Sequence, residues 1–262
     1  MCRSIVLIIF GFLVALSPPA QAVGSCERIV ISADPAYPPL HWHDGQQFHG
    51  ASILILTRIL NDLGLPYEVR YLGPWKRVLS AAQSGGIDMI TTLKSTPERR
   101  SFLLFSDLVL NNPVAAFARK DKPISFSKWE DLSALNGGIA RGNRFGQPFD
   151  DFMDKHLNIK ETDNLETAFR MLQANRFDYV ITGYHSGQAY LASANLEDKL
   201  MAVRPFLIDS QNLFGMVAQS PCASYLPLIN RQLEKLHKEA YIEQALMQAR
   251  AEWRASPVIG KN

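Results

Sequence analysis

The sequence predicts an α/β protein of two lobes, and three observations carry that prediction. Short β-like runs alternate with amphipathic helical stripes, the same alternation returns in the second half, and no linker or low-complexity tract divides the two. Residues 28–33 read as a strand. Ile53, Leu56, Ile59, Leu60 and Leu63 then share one helical face, which Gly64 stops. Residues 67–71 form a second strand, Trp75, Val78, Leu79 and Ala82 the next helical stripe, and residues 87–91 a third strand. Parallel neighbours need a crossover, and a helix supplies it, so this order predicts mainly parallel sheets flanked by helices.

The second half repeats the plan. Residues 139–140 and 159–160 are strand-like, and Asp163 with Glu166 fits a capping box ahead of Leu165, Ala168, Phe169 and Leu172. Residues 179–182 follow as a strand. Two stretches also match directly: Gln83-Ser84-Gly85-Gly86-Ile87-Asp88-Met89-Ile90 and Gln173-Ala174-Asn175-Arg176-Phe177-Asp178-Tyr179-Val180. Each runs from a helix end through a tight turn and an aspartate into a buried strand. Residues 214–218 add one more strand, and Ser220-Pro221 opens helical patterns that continue to Trp253.

Composition sets the outer limits. The 262 residues are 47% hydrophobic and 20% charged, which is globular rather than disordered. With 27 basic and 25 acidic residues, the net charge of +2 is too small for a nucleic-acid footprint. Three cysteines exclude a disulfide-dense miniprotein and a cysteine-rich zinc module.

Arg3, the apolar run 5–16 and Ser17-Pro18-Pro19-Ala20-Gln21-Ala22 have the order of a secretory signal peptide. Cleavage is expected after Ala22, leaving 240 mature residues and an exported, periplasmic protein. The rival reading, lipid attachment at Cys26, places that cysteine ten positions beyond Leu16, far for a lipobox. Loss of Cys2 with the leader leaves Cys26 and Cys222, and an even count in an exported chain predicts a disulfide. That bond returns the C-terminal helices to the first lobe. Residues 23–113 and 214–262 then form lobe 1 and residues 114–213 lobe 2, with crossings near 111–117 and 210–214. Two lobes on a two-segment hinge enclose a cleft suited to a small ligand.

Catalytic signatures are weak. No Gly-x-Ser-x-Gly elbow, P-loop or dinucleotide glycine pattern occurs. Asp150-Asp151 reads as a solvated helix face. His41, His43 and His49 surround Asp44, and alternate residues of a strand share a face. No further ligand spacing reinforces them, so a polar hairpin is expected rather than a metal centre, and no cofactor is called for. Lys94-Ser95-Thr96-Pro97-Glu98-Arg99-Arg100 is more informative. Thr96 suits an N-cap and Pro97 the first helical position, which puts Arg99 on a first turn, where a bidentate fork suits a carboxylate.

The ordered segments Ala33-Asp34-Pro35-Ala36-Tyr37-Pro38-Pro39-Leu40, Gly50, Pro74-Trp75-Lys76-Arg77, Gly86-Ile87-Asp88, Thr96-Pro97-Glu98-Arg99 and Phe105-Ser106-Asp107 resemble the family 3 extracellular solute-binding proteins. These are periplasmic receptors of ABC importers for polar amino acids. The resemblance covers essentially the whole mature chain and implies a type II periplasmic binding fold. It implies a monomer that hands a small polar ligand to an inner-membrane permease. Its ligand would lie between Tyr37 and Trp75, with Arg99 on the carboxylate, Thr92 and Lys94 beside it, Asp34 near an amine, and Arg77 at the mouth. Gly142, Asn143 and Arg144 match the turn that closes from the second lobe.

One departure stands out. Amino acid-binding members hold the α-ammonium with an aspartate where this chain has Gly183, followed by Tyr184. A charge-assisted bond worth about 1.5–3 kcal/mol is missing there. An α-amino acid and another carboxylate remain open as ligands. Two other roles resemble the same scaffold. Cyclohexadienyl dehydratases use a second-lobe carboxylate, which Thr182-Gly183-Tyr184-His185-Ser186 lacks, and a ligand-sensing receptor would need a separate signalling partner.

Overall fold

The computed structural model describes residues 25–256, and the predicted leader lies outside them. From β1 (Ile29–Ser32) the chain makes a small hairpin sheet of β2 (Ala36–Tyr37), β3 (His41–His43) and β4 (Phe48–His49), then helix α1 (Ala51–Asp62). β5 (Tyr67–Val69), α2 (Trp75–Gln83), β6 (Met89–Leu93), the single turn α3 (Pro97–Arg100) and β7 (Leu103–Asn111) follow. The next stretch holds β8 (Val114–Arg119), β9 (Asn136–Ala140), α4 (Phe149–His156), β10 (Asn158–Thr162) and α5 (Leu165–Gln173). It ends with β11 (Tyr179–Gly183), α6 (Tyr184–Ser193) and β12 (Leu200–Ala202). β13 (Gln211–Val217), α7 (Leu226–Lys238) and α8 (Tyr241–Ala255) complete the described chain.

Two five-stranded sheets result, ordered β5-β1-β6-β13-β7 and β10-β9-β11-β8-β12. In each, three strands pair in parallel and a fourth reverses between its neighbours: β13 in the first sheet, β8 in the second. Four strands of five therefore point one way, as the strand–helix alternation predicts. Ile55, Leu56, Ile59 and Leu60 of α1 pack with Ile29, Ile31 and Met89 and with the α7–α8 pair. Phe117, Phe169, Leu172 and Val180 fill one face of the second sheet, and Phe149, Tyr179 and Ile181 the other.

The paired sequence segments have one physical content. Gly85 and Asn175 both turn at positive φ, 75° and 57°, after α2 and α5. Asp88 Oδ2 then accepts from Val30 N at 2.8 Å, and Asp178 Oδ2 from Asn136 N at 3.0 Å. Each aspartate ties the entry of a central strand to its neighbour.

Several expectations need correction. Asn164, not Asp163, caps α5, its side chain accepting from Thr167 N at 2.8 Å; Asp163 pairs with Arg141 in solvent. Asp150 is no solvated helix residue: it is 6% exposed, and its two oxygens accept from Phe145 N and Gly146 N. β7, nine residues long, escaped the period-two reading. Its burial recurs about every third residue, and its pairing with β13 shifts register twice. β13 opens at Gln211, three residues before the lobe boundary placed at 214, so Gln211, Asn212 and Leu213 belong to the first sheet.

The two crossing segments pair with each other. Asn112 N donates to Ser210 O at 2.9 Å, Val114 N to Ile208 O at 3.0 Å, and Leu207 N to Val114 O at 2.9 Å. Cys26 and Cys222 are bonded across a sequence separation of 196, tying the start of the first sheet to the entry of the C-terminal helices. A loop of that length gives a large chain-entropy effect, about 2–5 kcal/mol in typical proteins. We expect Cys26→Ser with Cys222→Ser to lower the unfolding midpoint in urea accordingly. Mass spectrometry of the unreduced, denatured protein after alkylation should find neither thiol labelled; labelling of both contradicts the bond.

Candidate functional site

The ends of the parallel strands meet between the lobes, where a cleft opens. Asp34 and Tyr37 follow the C-terminal end of β1, Thr92, Leu93 and Lys94 extend from that of β6, and His41 and Asn212 come from β3 and β13. Trp75, the first residue of α2, and Arg99, on α3, complete this wall. Carboxyl ends of parallel strands are where open α/β sheets place ligands. Asn143, Arg144 and Phe145 face them from the second lobe.

Arg99 is built as its sequence context predicts. Thr96 accepts from Arg99 N at 3.2 Å, Pro97 starts the turn, and the guanidinium folds inward to 5% residue exposure. Nη1 donates to Lys94 O at 2.8 Å, and the guanidinium carbon stands 5.6 Å from the Trp75 ring centre. Among the described residues this fork makes no other hydrogen bond. Burial lowers its pKa to about 10, so it stays cationic at neutral pH. Lys94 Nζ donates to Asn112 O at 2.5 Å, and burial lowers its pKa to about 7.

The opposing turn is held just as firmly. Gly142 takes φ of 80°, Asn143 N donates to Ala140 O at 3.0 Å, and Asp150 fixes the next two amides, Phe145 and Gly146. Arg144 Nη1 donates to Asn143 O at 2.9 Å, and its charge lies 3.9 Å from Asp154 and Glu161. A methyl group at Gly142 would touch Trp75 at 3.5 Å, so the two lobes meet at the indole edge.

Asp34 and His41 sit together in the first-lobe wall. Asp34 Oδ1 accepts from Ala36 N at 2.9 Å. The His41 ring nitrogens lie 2.8 Å from Asp34 O and 3.1 Å from Thr92 O. Burial raises the Asp34 pKa and lowers that of His41, against their mutual attraction. Both carbonyls receive a proton only from an imidazolium, because a neutral ring donates from one nitrogen.

Other expected site residues lie elsewhere. Arg77 is exposed, two positions beyond Trp75 on a different side of α2, with Nη1 3.4 Å from Leu72 O. Gly142 contributes backbone beside Trp75, and Gly183 packs against Tyr37 and Asn112. Tyr184 turns away into the groove between α6 and α8, its ring tilted against Phe206 at 5.0 Å. His43 stacks on Tyr71 and His49 pairs with Asp44, so the three histidines face different partners. Among the described residues no group of three histidines, cysteines or carboxylates is placed to hold a metal ion. His41, Leu93, Phe145 and Asn212 were not anticipated in the cleft. Asn212 had a signal, being polar next to the strand-like run at 214–218. Its Oδ1 and Thr92 Oγ1 are buried without a hydrogen-bond partner.

Solved structures share the fold. The substrate-binding protein AbpA of Streptococcus pneumoniae, from an amino acid ABC transporter and bound to L-arginine, is 17% identical; the match covers 90% of this chain and 100% of that one, with a TM-score of 0.73. A mutant of ArgBP from T. maritima is 18% identical over 86% of this chain and 96% of its own, with a TM-score of 0.72. The BvgS VFT2 domain of Bordetella pertussis is also similar, at 18% identity, 87% and 94% coverage and a TM-score of 0.68. Among curated proteins none matches the sequence. Residues 29–245 match the bacterial extracellular solute-binding proteins, family 3, and the chain belongs to that family.

Proposed function

We propose that this protein is a non-catalytic receptor that closes on a small, polar, carboxylate-bearing solute and delivers it to an ABC importer. The observation that carries this reading is Arg99: a buried cation, braced by Lys94 O and Trp75, whose remaining donors face the cleft opposite Asn143 and Arg144. A buried charge is costly unless it is paired, and a ligand carboxylate supplies the partner. Asp34, Tyr37, Trp75, Thr92, Lys94 and the Asn143–Arg144 turn form the remainder of the proposed site. Similar structures include substrate-binding proteins of amino acid ABC transporters, one of them bound to L-arginine, which supports a small polar ligand. The reading includes export behind the cleaved leader, a monomer, and lobes hinged near 111–114 and 207–211.

Thermal-shift screening of refolded protein identifies a working ligand, since whatever binds the native state stabilises it. With that ligand, Arg99→Ala should weaken binding by about 10- to 150-fold, corresponding to about 1.5–3 kcal/mol for bonds to a charged group. Arg100→Ala, on the exposed side of the same turn, should change calorimetric affinity less than about twofold. Equal small effects sink the assignment.

Lys94 sets a pH dependence. A bound carboxylate favours the ammonium form, so the lysine pKa is higher in the complex than its free value of about 7. Affinity should be full below that value and fall as pH rises through it, by up to about tenfold per unit. Lys94→Met should flatten the profile. Affinity that holds constant or rises between about pH 6 and 8.5 in the unmodified protein contradicts this.

A further inference from the structure

We infer that the cleft selects organic acids that carry no cationic amine, because three basic side chains line it against a single carboxylate and Gly183 leaves no room for a second. This rests on the proposed carboxylate site and narrows the ligand class for it. Lys94, Arg99 and Arg144 are the cations that line the cleft, and Asp34 is its one acidic lining residue. One oxygen of Asp34 is already engaged within the protein. Its carboxylate accepts from Ala36 N and lies beside His41, whose two ring nitrogens both face carbonyl oxygens. Arg99 puts a cation in its field.

The wall behind Tyr37 is closed to a counter-charge in another way. At Gly183, where β11 ends and α6 begins, any side chain would run into Tyr37 Oη and Asn112 Nδ2. Those two groups bond each other at 3.2 Å, and Asn112 Oδ1 accepts from His185 N at 3.2 Å, which fixes the amide's orientation. His185 itself is engaged on both ring nitrogens, by Asn111 O and by Arg250 of α8. The network Tyr37–Asn112–His185 thus fills this wall with dipoles whose partners are already assigned. Asp150, the remaining buried carboxylate near Arg99 and Arg144, points both oxygens at the amides of Phe145 and Gly146. An ammonium entering the cleft would give up its water and meet the buried Arg99 guanidinium, with Lys94 and Arg144 beside it. A second carboxylate or a hydroxyl would meet donors, along with Thr92 Oγ1 and Asn212 Oδ1, which have no protein partner.

The test uses the mature protein, unfolded and refolded to remove bound solute, titrated calorimetrically with matched probes. Each amino acid is paired with the acid of the same skeleton that lacks its amine: glutarate with L-glutamate, succinate with L-aspartate, propanoate with L-alanine. Arg99→Ala is titrated alongside. The expected result is an acid that binds at least tenfold tighter than its amino acid partner and loses that binding in Arg99→Ala. An amino acid that binds as tightly as its partner or tighter, with binding still lost in Arg99→Ala, overturns the selectivity and leaves the carboxylate site standing. Binding unaffected by Arg99→Ala, or no binding by any probe, overturns both.

Discussion

The arrangement depends on keeping one guanidinium charged and out of water. Arg99 is inside the molecule because α3 is a single turn, started by the Thr96 cap and Pro97, that aims its side chain back at Lys94 O and the face of Trp75. One carbonyl and one aromatic face do not fully compensate a buried cation. Part of the remaining field comes from Asp150 in the other lobe. In the proposed role, a ligand would link binding to lobe approach through this residue, shifting an open–closed balance by as much as it prefers the closed form.

The surrounding fold keeps that residue in register. Two sheets of the same topology place the carboxyl ends of their parallel strands against a common space, and the chain crosses between them through the paired segments 111–114 and 207–211. The Cys26–Cys222 bond lies in the first lobe, at the far end of β1 from Asp34. It fastens the C-terminal helices to the strand that carries the site without bridging the cleft. α8 reaches the second lobe through Trp253, whose indole donates to Ala189 O of α6 at 3.0 Å.

The alternation of strands and stripes was legible because apolar residues kept the helical period in α1 and α2. β7 was not legible, since bulged pairing replaced its period of two, and the Asn164 cap was missed because two neighbouring residues can each cap. In the site, Thr96-Pro97 announced Arg99 by local chemistry alone, and family order brought in Tyr37, Trp75 and the Asn143–Arg144 turn. What sequence could not show was long-range engagement. His41 reaches Thr92 O across 51 positions, and Tyr37 reaches Asn112 across 75. The second of those contacts leaves Gly183 no room for a side chain. Fold membership leaves the ligand open.

The central claim is that a ligand carboxylate completes the coordination of Arg99 between the lobes. A crystal structure of the refolded protein with its tightest-binding acid tests this most directly. The account predicts a carboxylate within hydrogen-bonding distance of the Arg99 guanidinium, with the turn carrying Asn143 and Arg144 closed over it and no ligand atom against Arg77. A ligand lodged elsewhere, or one whose carboxylate avoids Arg99, contradicts it.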